Sequence, residues 1–138
     1  MQNLRLLFKQ VMRKCDSFGC GHYGASRGTR KHSGVDILSH YGEHIASPID
    51  GTITKLGYCY ADDLSYRYIE ITNGNDSIRV LYVHPSVKVG QKVKRLAKIG
   101  TTQDLNKRYK GIPLHIHIEI RQFGKLIDPT KFIDFDEN

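Results

Sequence analysis

The sequence predicts a mainly β fold, an antiparallel sheet or sandwich preceded by a short N-terminal helix. Three observations carry this. From Lys31 onward, short runs of β-branched and aromatic residues alternate with turn signals, the pattern of an antiparallel sheet or sandwich rather than of βαβ units. Leu114 to Ile120 alternates strictly between apolar and polar residues, the period of a strand with two unlike faces. Leu4, Leu7, Phe8, Val11 and Met12 recur instead at i, i+3, i+4, i+7 and i+8, the apolar stripe of a helix.

In chain order, that stripe places a helix over Asn3–Lys14, so residues 1–14 are expected to form an N-terminal helix and residues 15–138 a single domain. Asp16 to Lys31 is rich in Gly, Ser and charge and reads as an ordered loop. It contains Gly19-x-Gly21-x-x-Gly24, which formally matches a dinucleotide-binding fingerprint, but without a preceding strand or a following helix the match fails. Val35–Leu38 reads as a short strand, Tyr41–Glu43 as a turn, Ile45–Pro48 as extended, and Pro48–Gly51 as a turn into Thr52–Tyr58. Tyr68–Thr72 and Ser77–Val83 flank Asn73-Gly74-Asn75-Asp76, a hairpin signal. Pro85–Val93 is a connection, Leu96–Gly100 a short strand, and Thr101–Pro113 a polar loop with room for a helical turn. Phe123-Gly124-Lys125 turns the 114–120 strand into Leu126–Asp128.

With 138 residues, 39% of them hydrophobic, the chain is long enough for one real core. No apolar run approaches the roughly 20 residues of a membrane span, and Arg5, Lys9 and Gln10 interrupt the N-terminal apolar stretch, so no secretory signal is read there. The net charge of +7 suggests a polyanionic partner. The basic residues are scattered over several short clusters without a stacking platform, which argues against nucleic acid. Cys15 and Cys20 are spaced so that they could close a small disulfide loop in an oxidising compartment. Cys59 is left as an odd, free thiol, and there is no second cysteine pair for a cysteine zinc site.

Two short motifs carry chemistry. His32 and Asp36 lie four apart, with Gly34 letting the backbone bend between them, so both can converge on one metal. Zinc takes imidazole nitrogen and carboxylate oxygen, and a catalytic zinc keeps three protein ligands. The strand alternation puts His115, His117 and Glu119 on one face, where the third ligand can come from the His115-x-His117 pair. Glu119 is either a partner of a ligand imidazole or a solvated edge carboxylate. His84 ends a hydrophobic strand, a position from which a side chain can reach a site. His40 and His44 are spaced i, i+4, but Gly42 and the strand context argue against a helical metal pair. His22 sits in the glycine-rich loop before His32.

The motifs His32-x-x-x-Asp36, Tyr82-x-His84 and His115-x-His117 occur in the order of the lysostaphin-like (LytM-type) zinc metallopeptidases, which the chain resembles from about His32 to Phe132. Gly34-Val35-Asp36-Ile37, Ala46–Ile53, Val87-x-x-Gly90-Gln91-x-Val93, Ile99-Gly100 and Asp128-Pro129 also look like that family. The resemblance implies the lysostaphin-type peptidase fold and one Zn2+ held by His32, Asp36 and His117. It implies His115 as general base and His84 as a second catalytic histidine that binds or stabilises the oxyanion. It further implies Tyr23 as a substrate contact whose hydroxyl aids the oxyanion; Arg27 and Arg30, read from charge and position, either contact an anionic substrate or belong to a solvated loop. The implied function is a zinc endopeptidase that hydrolyses peptide cross-links or stem peptides of bacterial peptidoglycan, in the manner of an antibacterial effector or lysin. The segment Cys15 to Leu38 is similar to the leukocyte-derived chemotaxin branch, secreted proteins regarded as non-peptidase ligands. That branch bridges the cysteines matching Cys15 and Cys20 and carries lysine where this chain has His84. The alternative function is therefore a zinc-stabilised binding or signalling module. The expected partner is a peptidoglycan peptide, with no nucleic acid and no membrane span. A monomer acting in the periplasm or cell wall is expected, with a delivery or immunity protein as a further partner and the export route open. The segments 60–67 and 101–113 are expected to wall the cleft.

Overall fold

The computed structural model describes residues 1–136 and contains twelve strands. They are β1 (Ser26–Arg27), β2 (Arg30–Lys31), β3 (Val35–Leu38), β4 (His44–Ala46), β5 (Gly51–Tyr60) and β6 (Asp63–Asn73), followed by β7 (Asp76–Leu81), β8 (Val83–Pro85), β9 (Lys92–Val93), β10 (Lys98–Thr102), β11 (His115–Gln122) and β12 (Lys125–Ile127). The last two positions of the expected 15–138 domain lie outside the described residues. The mainly β, antiparallel architecture is as the alternation predicts. Strands β12-β11-β7-β6-β5-β9 run in that order in a seven-stranded sheet, in which β3 also pairs with β11. A three-stranded sheet, β4-β10-β8, and the small hairpin β1-β2 complete the fold. The segment read as an ordered loop thus contains the hairpin β1-β2, and the Thr101–Pro113 segment contains one 3-10 turn, Leu105–Lys107.

The core follows from the same alternation. Ile116, Ile118 and Ile120 of β11 are fully buried, as are Val35 and Ile37 of β3, Ile69 and Ile71 of β6, and Ile78 and Val80 of β7. Residues at i and i+2 share a sheet face, so each strand that buries its isoleucines sends the intervening positions to the opposite face. On β11 those positions are His115, His117 and Glu119.

The expected N-terminal helix does not form. Residues 1–14 run as an irregular, largely extended segment that covers sheet edges. Leu4 bridges Ile133, Met12 bridges Ile37, and the Ala46 and Leu38 amides donate to the carbonyls of Leu6 and Val11. Leu4, Leu6 and Leu7 are buried while Phe8 is 95% exposed, so the stripe is not one face of anything. Gln10, itself fully buried, closes the turn. Its Oε1 accepts from the amides of Leu6 and Leu7, and its Nε2 donates to the carbonyls of Leu4 and Asp134. Unpaired backbone on the edges of β3 and β4 offers this segment hydrogen bonds that override a weak helix propensity.

Gly34 matters for close approach rather than for a left-handed turn. A Cβ there would lie 2.0 Å from the Ile118 carbonyl oxygen and 3.0 Å from the His117 ring. Backbone cannot yield cheaply to such an overlap. Gly34→Ala is expected to destabilise the chain by roughly 2–4 kcal/mol, read as a lowered midpoint in urea unfolding, and to weaken metal binding with it.

Candidate metal centre

Strand register assembles the site. Asp36 on β3 stands directly opposite His117 on β11, and directly opposed residues share a face with Cβ atoms about 4.5–5.5 Å apart. His32 reaches the same point from the end of the β1-β2 hairpin. The result is a nearly equilateral triangle: His32 Nε2 to His117 Nδ1 is 3.0 Å, His32 Nε2 to Asp36 Oδ1 is 3.1 Å, and His117 Nδ1 to Asp36 Oδ1 is 3.0 Å. All three residues are at most 8% exposed.

The hydrogen bonds on the far sides fix what the triangle presents. His32 Nδ1 donates to the His22 carbonyl at 2.9 Å, which leaves Nε2 as a lone pair. His117 Nε2 donates to Glu119 Oε2 at 3.0 Å, which turns the Nδ1 lone pair inward. These tautomers follow from the network. Two imidazole lone pairs and a carboxylate oxygen therefore converge on one point, an arrangement that repels unless a cation or proton lies between. A tetrahedral zinc with bonds of about 2.0–2.1 Å sets its ligand atoms about 3.3 Å apart, within a few tenths of an ångström of this triangle. The donor set fits a divalent cation.

Neighbouring groups hold the triangle. Asp36 Oδ2 accepts from Arg13 at 2.9 Å, and Arg13 also chelates Asp16 at 2.7 and 2.9 Å. Burial opposes ionisation of Asp36, but in the metal-free site a proton on the facing His117 or His32 nitrogen, 3.0 and 3.1 Å away, bonds to it and holds its carboxyl well below the usual range. Glu119 is not a solvated edge carboxylate. Burial would raise it, yet contacts with His117, Ser33 (2.7 Å) and Arg121 (3.1 Å) lower it to about 2. Burial would likewise lower His117, but Asp36 and Glu119 on its two sides raise it.

His115 is set apart from the triangle. Its Nδ1 donates to the Pro113 carbonyl at 2.7 Å, and its Nε2 lies 3.5 Å from Asp36 Oδ2. Burial pushes its pKa down against the pull of Asp36. A neutral imidazole thus presents an Nε2 lone pair beside the triangle. The Tyr82 ring packs edge-on against it with centroids 5.6 Å apart.

These groups line one cleft of about 310 Å³. Tyr60, Leu105, Tyr109 and Ile112 contribute to its wall, as the positions of the 60–67 and 101–113 segments suggest. Tyr60 and Tyr82 share a hydroxyl contact at 3.2 Å, and burial pushes the Tyr82 phenol up to about 12. Cys59 also lines the cleft, its thiol raised by burial to about 11.

Two expected site residues are not brought together here. His84 is exposed on β8, opposite Thr101 of β10 in the three-stranded sheet, and does not line the cleft. Tyr82 explains the difference: with φ 72° it breaks the strand alternation, takes the cleft wall itself, and leaves Val83 to the core and His84 to solvent. Tyr23 packs against the main core instead of the cleft. Arg27 does line the cleft, donating to the Cys20 carbonyl at 2.6 Å with its guanidinium 3.9 Å from Asp36. His40 and His44 stay exposed, away from the triangle. Cys15 and Cys20 are joined in a disulfide, so their sulfurs are spent and the neighbouring group with His22 is not a second three-ligand site. Arg13 is the residue that sequence reasoning missed, because a helical pattern assigns it to the solvent face.

Residues 30–129 match the profile of Peptidase family M23. The chain is 35% identical over 123 residues to leukocyte cell-derived chemotaxin-2 of Bos taurus, covering 88% of this chain and 79% of that protein. It is 28% identical over 120 residues to the murein hydrolase activator NlpD of Escherichia coli K12, covering 80% of this chain and 28% of that one. The fold superposes on the solution structure of lysostaphin with a TM-score of 0.66 at 16% identity, covering 96% of this chain and 57% of that one. With its profile match, its chemotaxin-2 relative and its lysostaphin-type fold, the chain belongs to peptidase family M23, the LytM-type group.

Proposed function

We propose that this chain is a zinc-dependent endopeptidase acting on the peptides of bacterial peptidoglycan, with His32, Asp36 and His117 as zinc ligands and His115 as the proton-transfer residue. The observation that carries the reading is the neutral His115 Nε2 facing the cleft beside three converging lone pairs. A zinc ion held by these ligands supplies Lewis acidity and makes water acidic enough to ionise near neutral pH. His115 Nε2 takes the proton of the attacking water and later delivers it to the leaving amine. The Pro113 carbonyl fixes the tautomer that makes this possible, and the Tyr82 ring fixes the plane of the imidazole. Glu119 and Arg13 orient His117 and Asp36, the role of outer groups around a metal. Action in the periplasm or cell wall accords with the disulfide.

The test is release of new amines from purified sacculi by the zinc-loaded chain. Wild-type release is expected, and its absence contradicts the reading. A second reading, a zinc-stabilised binding module without turnover, is favoured by the 35% identity to chemotaxin-2. His84 does not separate the two, because it stands outside the cleft. His84→Ala is expected to keep its zinc and to stay within about twofold of the wild-type rate, measured by zinc content and the sacculus assay.

Zinc affinity is expected to depend steeply on pH. Asp36 and Glu119 raise the His117 pKa, and a proton on Nδ1 competes with the metal for the same lone pair. Affinity therefore falls as the pH is lowered through the raised His117 titration, starting at a higher pH than an ordinary imidazole would give. Chelator competition across a pH series measures this; affinity flat down to pH values well below the ordinary imidazole range contradicts it.

A further inference from the structure

The cleft carries a charge imbalance that the metal site does not absorb. Arg13, Arg27, Arg30 and Lys31 line it, against Asp36 and Glu119 as carboxylates. Both carboxylates are committed: Asp36 to Arg13 and the triangle, Glu119 to His117, Ser33 and Arg121. Arg27 and Arg30 stand directly opposite each other across the β1-β2 hairpin, where like charges repel. Among the described residues Arg30 and Lys31 have no ion-pair partner, and both are exposed. A hairpin that concentrates unpaired cations at the lip of a site for a dication is frustrated until an anion reaches it.

Resting on the peptidase reading, we propose that this cleft selects peptides bearing a carboxylate within one or two residues of the cleaved bond, and that Arg30 and Lys31 recognise that carboxylate. Lys31 immediately precedes His32 and Arg30 stands one residue further out. Both line the same cleft as His32, Asp36, His115 and His117, so a peptide bound at the triangle passes them close to the bond that is cut. Arg27 is held back by its bonds to the Cys20 and Ser26 carbonyls and adds field rather than a free donor. Tyr60 and Tyr109 add rings and hydroxyls to the lining, and the Arg108 guanidinium that stacks on Tyr60 at 3.6 Å is paired with Asp62, unlike Arg30 and Lys31.

The experiment uses the zinc-loaded full chain and cross-linked stem-peptide dimers prepared from sacculi, with their carboxylates either free or amidated. Wild type is expected to favour the free form by about 3- to 10-fold in kcat/KM, carried by KM, the range for an exposed to partly shielded charge pair. High salt reduces the preference. Arg30→Gln/Lys31→Gln brings the ratio near one with zinc retained. Lys88→Gln/Lys92→Gln, which removes the same charge from outside the cleft, keeps it. A wild-type ratio near one overturns the proposal, as does a preference that survives Arg30→Gln/Lys31→Gln. Calorimetric binding of the same two dimers to zinc-loaded His115→Ala reads the preference without turnover. If neither dimer is cut while the free form still binds more tightly, the peptidase reading fails and the carboxylate site stands.

Discussion

His115→Ala is expected to lower kcat on sacculi by about 10²- to 10⁴-fold, the contribution of a positioned general base, while keeping its zinc. The two effects separate because His115 Nε2 does not belong to the triangle; it approaches Asp36 only through Oδ2, at 3.5 Å. The substitution removes a buried ring that packs on Tyr82, so circular dichroism and zinc content must accompany the rate. A folded, zinc-bearing His115→Ala protein that works at the wild-type rate removes this residue from the chemistry. A wild-type protein that binds zinc and releases nothing favours the binding-module reading.

Asp36→Ala is expected to have the largest effect on stability and on metal content together. It deletes one corner of the triangle, so zinc binding falls to background. It also takes one of two carboxylates from Arg13, a guanidinium only 4% exposed that then keeps Asp16 and the Gly19 carbonyl. Breaking a buried pair by removing one partner costs about 3–5 kcal/mol, and the remaining Asp16 contact argues for the lower end. Urea unfolding of the metal-free proteins isolates this term from the stabilisation that zinc adds by mass action. If metal-free Asp36→Ala matched metal-free wild type, the Arg13–Asp36 pair would not be part of what holds the N-terminal segment on the sheet.

Most of the site was legible because it lies on strands whose side chains obey a period of two. The alternation at 114–120 was enough to put His115, His117 and Glu119 on one face, and Val35–Leu38 was short and apolar enough to be read as a strand. What the alternation could not supply was register, which places Asp36 opposite His117 rather than opposite His115. His32 and Asp36 were read as ligands from their spacing, whereas the choice of His117 over His115 as the third came from family resemblance. The role of His84 rested on the end of a strand and on family resemblance; the left-handed backbone at Tyr82 breaks the alternation just before it, and His84 stands exposed outside the cleft. The N-terminal segment was misread for a different reason: its leucines satisfy a helical spacing, but its conformation is decided by the edges of β3 and β4 and by the buried Gln10, all of which are tertiary. Arg13 was invisible for the same reason, since its partner Asp36 is distant in the chain and meets it only after folding.

The central claim is that His32, Asp36 and His117 present three lone pairs to one zinc while His115 stands beside them and does not ligate. Elemental analysis of purified, folded variants after dialysis against zinc measures this most directly. The account predicts one zinc per chain in wild type and in His115→Ala, and none above background in His32→Ala and His117→Ala. Stoichiometric zinc in folded His32→Ala, or its loss from His115→Ala, contradicts it.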